Sequence, residues 1–184
     1  MRKSNARERI LAAAGRLFSR RGYALVGINE IIAESETAKA SFYQHFPSKE
    51  KLCAEWLKET HERSVASHDG ILKSKKNPQR KLREYFNELK KWLQENNFRG
   101  CPYTNTSSML NTDAPEIREQ VEIHKLFIRD FFIELARGLV SAEKARQLGS
   151  ALFLLYSGAT AEAQNVRSTW PVESALETAE MLVS

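Results

Sequence analysis

Apolar residues recur at three- and four-residue spacings along most of the chain, which is the period of amphipathic helices. The first such stripe lies in a helix predicted over residues 4–21 and comprises Ile10, Leu11, Ala14, Leu17 and Phe18. Gly22 follows the stripe, and glycine is the residue that most readily ends a helix in a left-handed cap. No stretch alternates apolar and polar residues as a half-buried strand would. The pattern predicts an all-α protein.

Two short helices are predicted next, over residues 28–35 and 38–45, with a short polar turn between them. Phe42 and Phe46 are expected to pack the second of these helices into a three-helix head. Ser48 is expected to cap the helix that follows, because its hydroxyl can accept a hydrogen bond from an unpaired amide. A short helix, a tight turn and a second short helix are typical of a helix-turn-helix.

Longer helices are predicted for the remainder of the chain. The predicted elements are a helix over 49–68, a loop over 69–78, a helix over 79–95, an irregular or briefly helical segment over 96–112, and helices from Pro115, over 142–166 after a Ser141 cap, and after Pro171. This order predicts two domains, a helix-turn-helix head over 1–47 and a helical body over 48–184.

Composition excludes several classes of protein. The 184 residues are 42% hydrophobic and 28% charged, which is ordinary for a globular domain. No apolar run is long enough to span a membrane, and the charged N-terminal stretch does not read as a signal peptide. The two cysteines, Cys53 and Cys101, are too few for a disulfide framework and fit a reducing compartment. We therefore expect a cytoplasmic protein.

Charge is distributed unevenly along the chain. Residues 1–51 hold ten basic and five acidic residues, whereas the remaining residues hold 18 of each sign. The whole net charge of +5 therefore lies within the first 51 residues, which contain the predicted head. Attraction to phosphates supplies most non-specific affinity for DNA, so this distribution favours a DNA-binding head. The alternative is a merely solvated basic face.

The second helix of a helix-turn-helix enters the major groove of DNA. Lys39 and Lys49 are expected to contact phosphates, and Gln44 can pair with adenine through two hydrogen bonds. The N-terminus of the preceding helix is expected to face the DNA backbone through its unpaired amides. The predicted DNA-contacting residues are Gly27, Ile28, Lys39, Ala40, Ser41, Tyr43, Gln44, His45 and Lys49. The alternative is an ordinary surface helix.

The first 52 residues resemble the TetR family of bacterial transcriptional regulators. The matching residues are Ile10, Leu11, Ala13, Leu17, Phe18, Gly22, Tyr23, Glu30, Ile31, Tyr43, His45, Phe46, Lys49 and Leu52. The resemblance implies a DNA-binding head and a C-terminal body that responds to a small effector. A stretch from Arg99 to Pro102 is also similar to a Gly-Cys motif in one subgroup of that family, which responds to small aromatic or drug-like molecules.

Three positions depart from the family pattern. Glu36 stands in the turn where the family usually has a glycine, so we expect a strained or differently shaped turn. Ala40 replaces another common glycine. Gly27 replaces the common Ser or Thr cap of the second helix and so removes a hydroxyl that would face phosphate.

Aromatic residues are spread over the predicted body, and two interpretations remain open. They are either core packing or the wall of a pocket for an apolar or aromatic effector, with a few polar groups among them. The predicted effector-binding residues are Trp56, Thr60, Phe86, Leu89, Tyr103, Asn105, Thr106, His124, Phe127, Phe131, Phe153 and Tyr156. No cofactor is predicted, and no metal site, because no third ligand joins His61 and His68 at a suitable spacing.

The last two predicted helices are rich in small and apolar residues, which is typical of a close helix–helix interface. A homodimer built as a four-helix bundle is predicted there. Such a dimer would hold two heads about one DNA turn apart, over a palindromic operator. The leading hypothesis is a repressor that leaves its operator when an effector binds the body. The alternatives are a small enzyme that uses His124 or Cys101, and a helical interaction protein that no longer reads DNA.

Overall fold

The computed structural model describes residues 5–110 and 113–183. Within these ranges the chain forms nine helices and no strand. The helices are α1 (Ala6–Arg21), α2 (Ile28–Glu34), α3 (Lys39–His45), α4 (Lys49–Lys73), α5 (Pro78–Glu95), α6 (Pro102–Ser108), α7 (Pro115–Ala136), α8 (Ala142–Val166) and α9 (Trp170–Leu182). The predicted all-α fold with an N-terminal helix-turn-helix head and a helical body is confirmed.

Helix α1 is fixed at both ends by its own sequence. The Asn5 side chain accepts a hydrogen bond from the backbone N–H of Glu8 at 2.9 Å, and the Glu8 carboxylate accepts one from the Asn5 backbone N–H at 3.2 Å. This reciprocal pair is a capping box, which satisfies amides that the helix leaves unpaired. At the other end Gly22 has a φ of +85°, so the predicted glycine stop is confirmed.

The predicted loop over 69–78 is wrong for its first half, because α4 continues to Lys73. A single glycine within a helix costs only about 1 kcal/mol, and local contacts offset this at Gly70. The Lys73 ammonium lies 2.8 Å from the Asp69 carboxylate one turn earlier, and Ile71 packs against apolar core residues. Asn77 then caps α5, since its side chain accepts a hydrogen bond from the backbone N–H of Arg80, in the first turn of α5, at 2.8 Å.

The chain divides into two compact units. Among the described residues, unit 1 contains 5–62, 102–110 and 113–123, so the first part of α4 groups with the head. In unit 1 the Trp56 indole crosses α1 so closely that a Cβ added at Gly15 would lie 2.9 Å from its Nε1 atom. The Tyr103 hydroxyl donates to the backbone carbonyl of Leu57 at 2.8 Å, which joins α6 to α4.

Unit 2 contains residues 63–101 and 124–183 of the described chain. The apolar face predicted for α5 is buried there at all five positions, Leu82, Tyr85, Phe86, Leu89 and Leu93. These residues share one core cluster with residues of α7, α8 and α9. Helices α7 and α8 come so close that a Cβ added at Gly149 would lie 2.4 Å from the Cα atom of Ile133. Glycine at 149 is therefore required for this helix packing.

We predict that Gly149→Ala lowers the free energy of unfolding by about 1–3 kcal/mol, because the added methyl group meets backbone rather than a movable side chain. Gly70→Ala is the matched control, since a Cβ there meets nothing within 4 Å. The control should raise stability by up to about 1 kcal/mol, because alanine favours a helix. Urea denaturation measures both values. Equal effects of the two substitutions would contradict the packing described for Gly149.

Candidate nucleic-acid interface

Helix α3 has one buried and one exposed side. Phe42 and Phe46 are 0% and 1% exposed, so the prediction that they pack the head is confirmed. Ser41 is half-buried at the edge of the helix. The outward side carries Lys39, Ala40, Tyr43, Gln44 and His45, all of which are exposed. The structure therefore leaves five of the predicted DNA-contacting residues of α3 exposed to solvent.

The turn between α2 and α3 is held by side-chain hydrogen bonds that were not predicted. Ser35 is buried, and its hydroxyl donates to the backbone carbonyl of Ile32 at 3.1 Å and lies 2.8 Å from the hydroxyl of Thr37. The Arg9 guanidinium donates to the Ser35 carbonyl at 3.2 Å. A serine followed two residues later by threonine is a recognisable turn signal. Glu36 has a φ of +51°, the left-handed conformation that glycine adopts at least cost.

The start of α2 is open to solvent. Gly27 is its N-cap residue, is exposed, and supplies no side-chain cap. A Cβ added at Gly27 would meet no atom within 4 Å, so space does not require a glycine there. Ile28 is half-buried. The first turn of α2 is tied to α1 by an ion pair between Arg21 and Glu30.

Ion pairs hold several basic residues of the head, which the charge count alone does not reveal. The pairs are Arg7 with Glu55 at 2.9 Å, Arg16 with Glu34 at 3.1 Å, Arg21 with Glu30, and Lys51 with Glu116 at 2.8 Å. Among the described residues of the head, Lys39 and Arg20 form neither an ion pair nor a side-chain hydrogen bond. Lys39 is thus an uncommitted cation on the exposed side of α3.

Lys49, which was predicted to contact phosphate, is half-buried and hydrogen-bonded within the protein. Its ammonium donates to the backbone carbonyls of Tyr23 at 3.2 Å and Val26 at 3.1 Å. It also lies 4.4 Å from the centroid of the Tyr23 ring, a cation–π distance. Burial lowers the pKa of Lys49 from its ordinary value. Burial also raises the pKa of Tyr23 to about 12, with Cys53 and Glu50 adding to the shift.

The predicted effector-binding residues fall into both units. Unit 1 holds Trp56, Thr60, Tyr103, Asn105 and Thr106. Unit 2 holds Phe86, Leu89, His124, Phe127, Phe131, Phe153 and Tyr156. Several of them have a packing role: Trp56 lies 5.5 Å from the ring of Phe18, and the Thr60 hydroxyl donates to the Trp56 carbonyl at 2.8 Å. Their role in binding an effector stays a prediction.

His68 lies within an aromatic cluster that sequence reasoning did not identify. Its ring centroid is 4.6 Å from that of Phe131 and 5.4 Å from those of Tyr85 and Phe127. One ring nitrogen lies 2.7 Å from the Ser64 carbonyl, and the other 3.4 Å from the Tyr85 hydroxyl. Burial raises the pKa of Tyr85, so its hydroxyl keeps its proton at neutral pH. His68 and Tyr85 both lie at inward-facing positions of the helical pattern, and this spacing was the signal in the sequence that could have identified the cluster.

A groove with a volume of about 560 Å³ runs between α8 and α9 in unit 2. Large apolar side chains along it are exposed, with 67% of Leu154, 57% of Trp170 and 50% of Leu182 accessible to solvent. Small residues such as Gly158 and Ala159 also line the groove. None of the twelve predicted effector-binding residues lines this groove.

No group of three or more histidine, cysteine, aspartate or glutamate side chains in the described residues could hold a metal ion. None of the helices in the described ranges combines the length and apolar character needed to cross a membrane. The sulfur of Cys101 accepts a hydrogen bond from the Lys125 ammonium at 3.7 Å.

Comparison with known proteins identifies the same N-terminal region that forms the helix-turn-helix head. Residues 10–55 match the family model for bacterial regulatory proteins of the tetR family. An HTH-type transcriptional regulator in the lacX 3′ region of Lactococcus lactis subsp. lactis is 30% identical over 125 residues, which cover 64% of this chain. They cover 61% of that relative, so the chain spans less than two thirds of its length.

Two other matches extend over most of the chain. The HTH-type transcriptional repressor NemR of Escherichia coli K12 is 24% identical over 186 residues, which cover 94% of this chain and 90% of NemR. The crystal structure of a TetR-family transcriptional regulator from Streptomyces coelicolor superposes with a TM-score of 0.87 and is 25% identical. That superposition covers 97% of this chain and 94% of the other.

We predict that Glu36→Gly raises the free energy of unfolding by up to about 1 kcal/mol, because glycine adopts a φ of +51° without the crowding of a Cβ atom. Glu36→Ala is the matched control: it removes the carboxylate but keeps the Cβ, so it should give no such gain. Thermal and urea denaturation provide the comparison. A gain with alanine equal to that with glycine would show that charge, rather than backbone conformation, limits stability here.

Proposed function

We propose that the chain is a DNA-binding transcriptional repressor of the TetR family of bacterial regulatory proteins, which its N-terminal match and its structural likeness to a TetR-family regulator support. The observation that supports this proposal is that α3 has two buried aromatic residues and a set of exposed polar residues. Phe42 and Phe46 anchor the helix, and the uncommitted Lys39 lies among polar groups on its exposed side. A helix of this kind, second in a helix-turn-helix, is suited to the major groove.

Each exposed group of α3 has a proposed role. Lys39 and the Tyr43 hydroxyl contact phosphates, which positions the head without reading sequence. Gln44 reads a base edge, with adenine as the base that matches its amide. Ser41 and His45 lie on the same surface within reach of the groove, while Ala40 allows close approach. Gly27 and Ile28 contribute backbone amides at the start of α2.

We propose that the α8–α9 groove is covered by the same groove of a second copy of the chain. A contiguous exposed apolar surface of this kind is unusual on a monomer and typical of an interface. Leu154 and Trp170 would be buried between the two copies, in a four-helix bundle related by two-fold symmetry. The resulting dimer would present two α3 helices to the two halves of a palindromic operator.

We propose further that the body binds a small apolar or aromatic effector, and that this binding releases the operator. The aromatic cluster around His68 in unit 2 supports this idea, because it combines apolar walls with the hydroxyl of Tyr85 and the histidine ring. By thermodynamic linkage, operator DNA must then weaken effector binding by the same factor.

We predict that Lys39→Ala and Tyr43→Ala each weaken binding roughly tenfold to the duplex that the wild-type chain selects from a random pool. For Lys39→Ala, the dependence of log affinity on log salt should become less steep by about 0.9 per protomer, because one phosphate contact is lost. Fluorescence anisotropy measures affinity, and sedimentation should show an unchanged oligomeric state.

Lys75→Ala serves as the control, since Lys75 is an exposed lysine in the loop between α4 and α5. It should leave binding unchanged. If both α3 variants bind as tightly as the wild type, α3 is not the reading helix. A wild-type chain that selects no duplex would favour the alternative, a helical protein that does not read DNA.

We predict that Leu154→Glu converts the dimer to a monomer, because it places a charge within an apolar interface. Leu25→Glu is a matched control, since Leu25 is also 67% exposed but lies in the head. The control should remain dimeric in sedimentation velocity. A dimeric Leu154→Glu variant would place the interface elsewhere on the molecule.

A further inference from the structure

The first residue of α4 is bonded to the connection between α1 and α2. Lys49 begins α4, and its ammonium donates to two carbonyls of that connection, at Tyr23 and Val26. An ammonium group has three donor hydrogens and no acceptor. Two carbonyls at 3.1 and 3.2 Å accept its hydrogen bonds, and the Tyr23 ring lies 4.4 Å away, so the ammonium is already engaged within the protein.

The connection that Lys49 holds is itself packed on both sides. The Tyr23 ring meets Phe18 of α1 edge-on, with 5.7 Å between the centroids, and Phe18 lies 5.5 Å from Trp56 of α4. Val26 is 1% exposed. These contacts form a closed path from α4 through the connection to α1 and back to α4. The position of the connection therefore depends on the position of α4.

The same connection leads directly into α2. The Arg21 guanidinium donates to the carbonyl of Leu25 at 3.1 Å and pairs with Glu30 in the first turn of α2. Helix α2 in turn carries the Ser35 turn that leads to α3. A change in where residues 23–26 lie would therefore be passed to both helices of the helix-turn-helix.

We propose that Lys49 is a positioning residue that ties α4 to residues 23–26 and thereby fixes α2 and α3 for DNA binding, instead of contacting phosphate itself. This inference rests on the proposed function, because positioning matters only if α3 reads DNA. Lys39 differs from Lys49 because it is exposed and forms no ion pair among the described residues, and it is the lysine that we propose contacts phosphate.

The test compares Lys49→Met with Lys39→Met, two substitutions that remove one ammonium each and keep most of the apolar stem. The first measurement needs no DNA. Hydrogen exchange of the amides in residues 23–31 should become roughly tenfold faster in Lys49→Met, because the connection between α1 and α2 is no longer held to α4 and opens more often. It should stay unchanged in Lys39→Met, and amides within α1 serve as the internal reference for a folded head.

The second measurement uses the duplex selected by the wild-type chain. Lys49→Met should weaken binding roughly tenfold while the slope of log affinity against log salt stays at the wild-type value. Lys39→Met should make the slope less steep by about 0.9 per protomer. A variant that loses affinity but keeps the wild-type salt slope has not lost a phosphate contact, because losing such a contact would also reduce counterion release.

Three outcomes overturn the inference: unchanged exchange at 23–31 in Lys49→Met, unchanged affinity for DNA, or a slope reduced as in Lys39→Met. If Lys49→Met unfolds the head, acetylation of the wild-type lysines decides instead. Lys49 should then react roughly tenfold more slowly than Lys39 without DNA, and only Lys39 should gain protection from the duplex. If the wild-type chain binds no duplex, the proposed function fails. The exchange result still decides whether Lys49 holds the connection between α1 and α2 to α4.

Discussion

The burial of two aromatic rings is the constraint on which the rest of the head depends. Helix α3 has only seven residues, and an isolated helix of that length is unstable in water. Phe42 and Phe46 stabilise it by burial, at about 1.5–3 kcal/mol for each such side chain. Since both rings face inward, Tyr43 and Gln44 are left facing outward, and Lys39 is exposed in the first turn of the helix. The reading surface follows from the packing of the core beneath it.

Helical periodicity made most of the fold predictable. The five apolar positions of α5 are buried as their spacing requires, and Gly22 ends α1 with a positive φ. Prediction was wrong at residues 69–73, where glycine and charged residues indicated a loop. The ion pair between Asp69 and Lys73 and the packing of Ile71 favour helix there. Tertiary contacts of this kind are not visible in local sequence.

The candidate site was predictable in its location but not in the roles of its charges. Sequence alone gives Lys39 and Lys49 the same charge and similar positions. The structure separates them, because the carbonyls of Tyr23 and Val26, more than twenty residues from Lys49 in sequence, accept its hydrogen bonds. The role of Ser35 in the turn was also missed, although Thr37 two residues later was a local signal for it.

The central claim is that the exposed side of α3 meets DNA, and site-specific photo-cross-linking tests it most directly. A photoreactive side chain at position 44 should cross-link to the bases of the selected duplex. The same side chain at position 154, on α8, should cross-link to a second copy of the chain and not to DNA. A duplex that is bound without any cross-link from position 44, or with equal yield from position 154, would contradict the account.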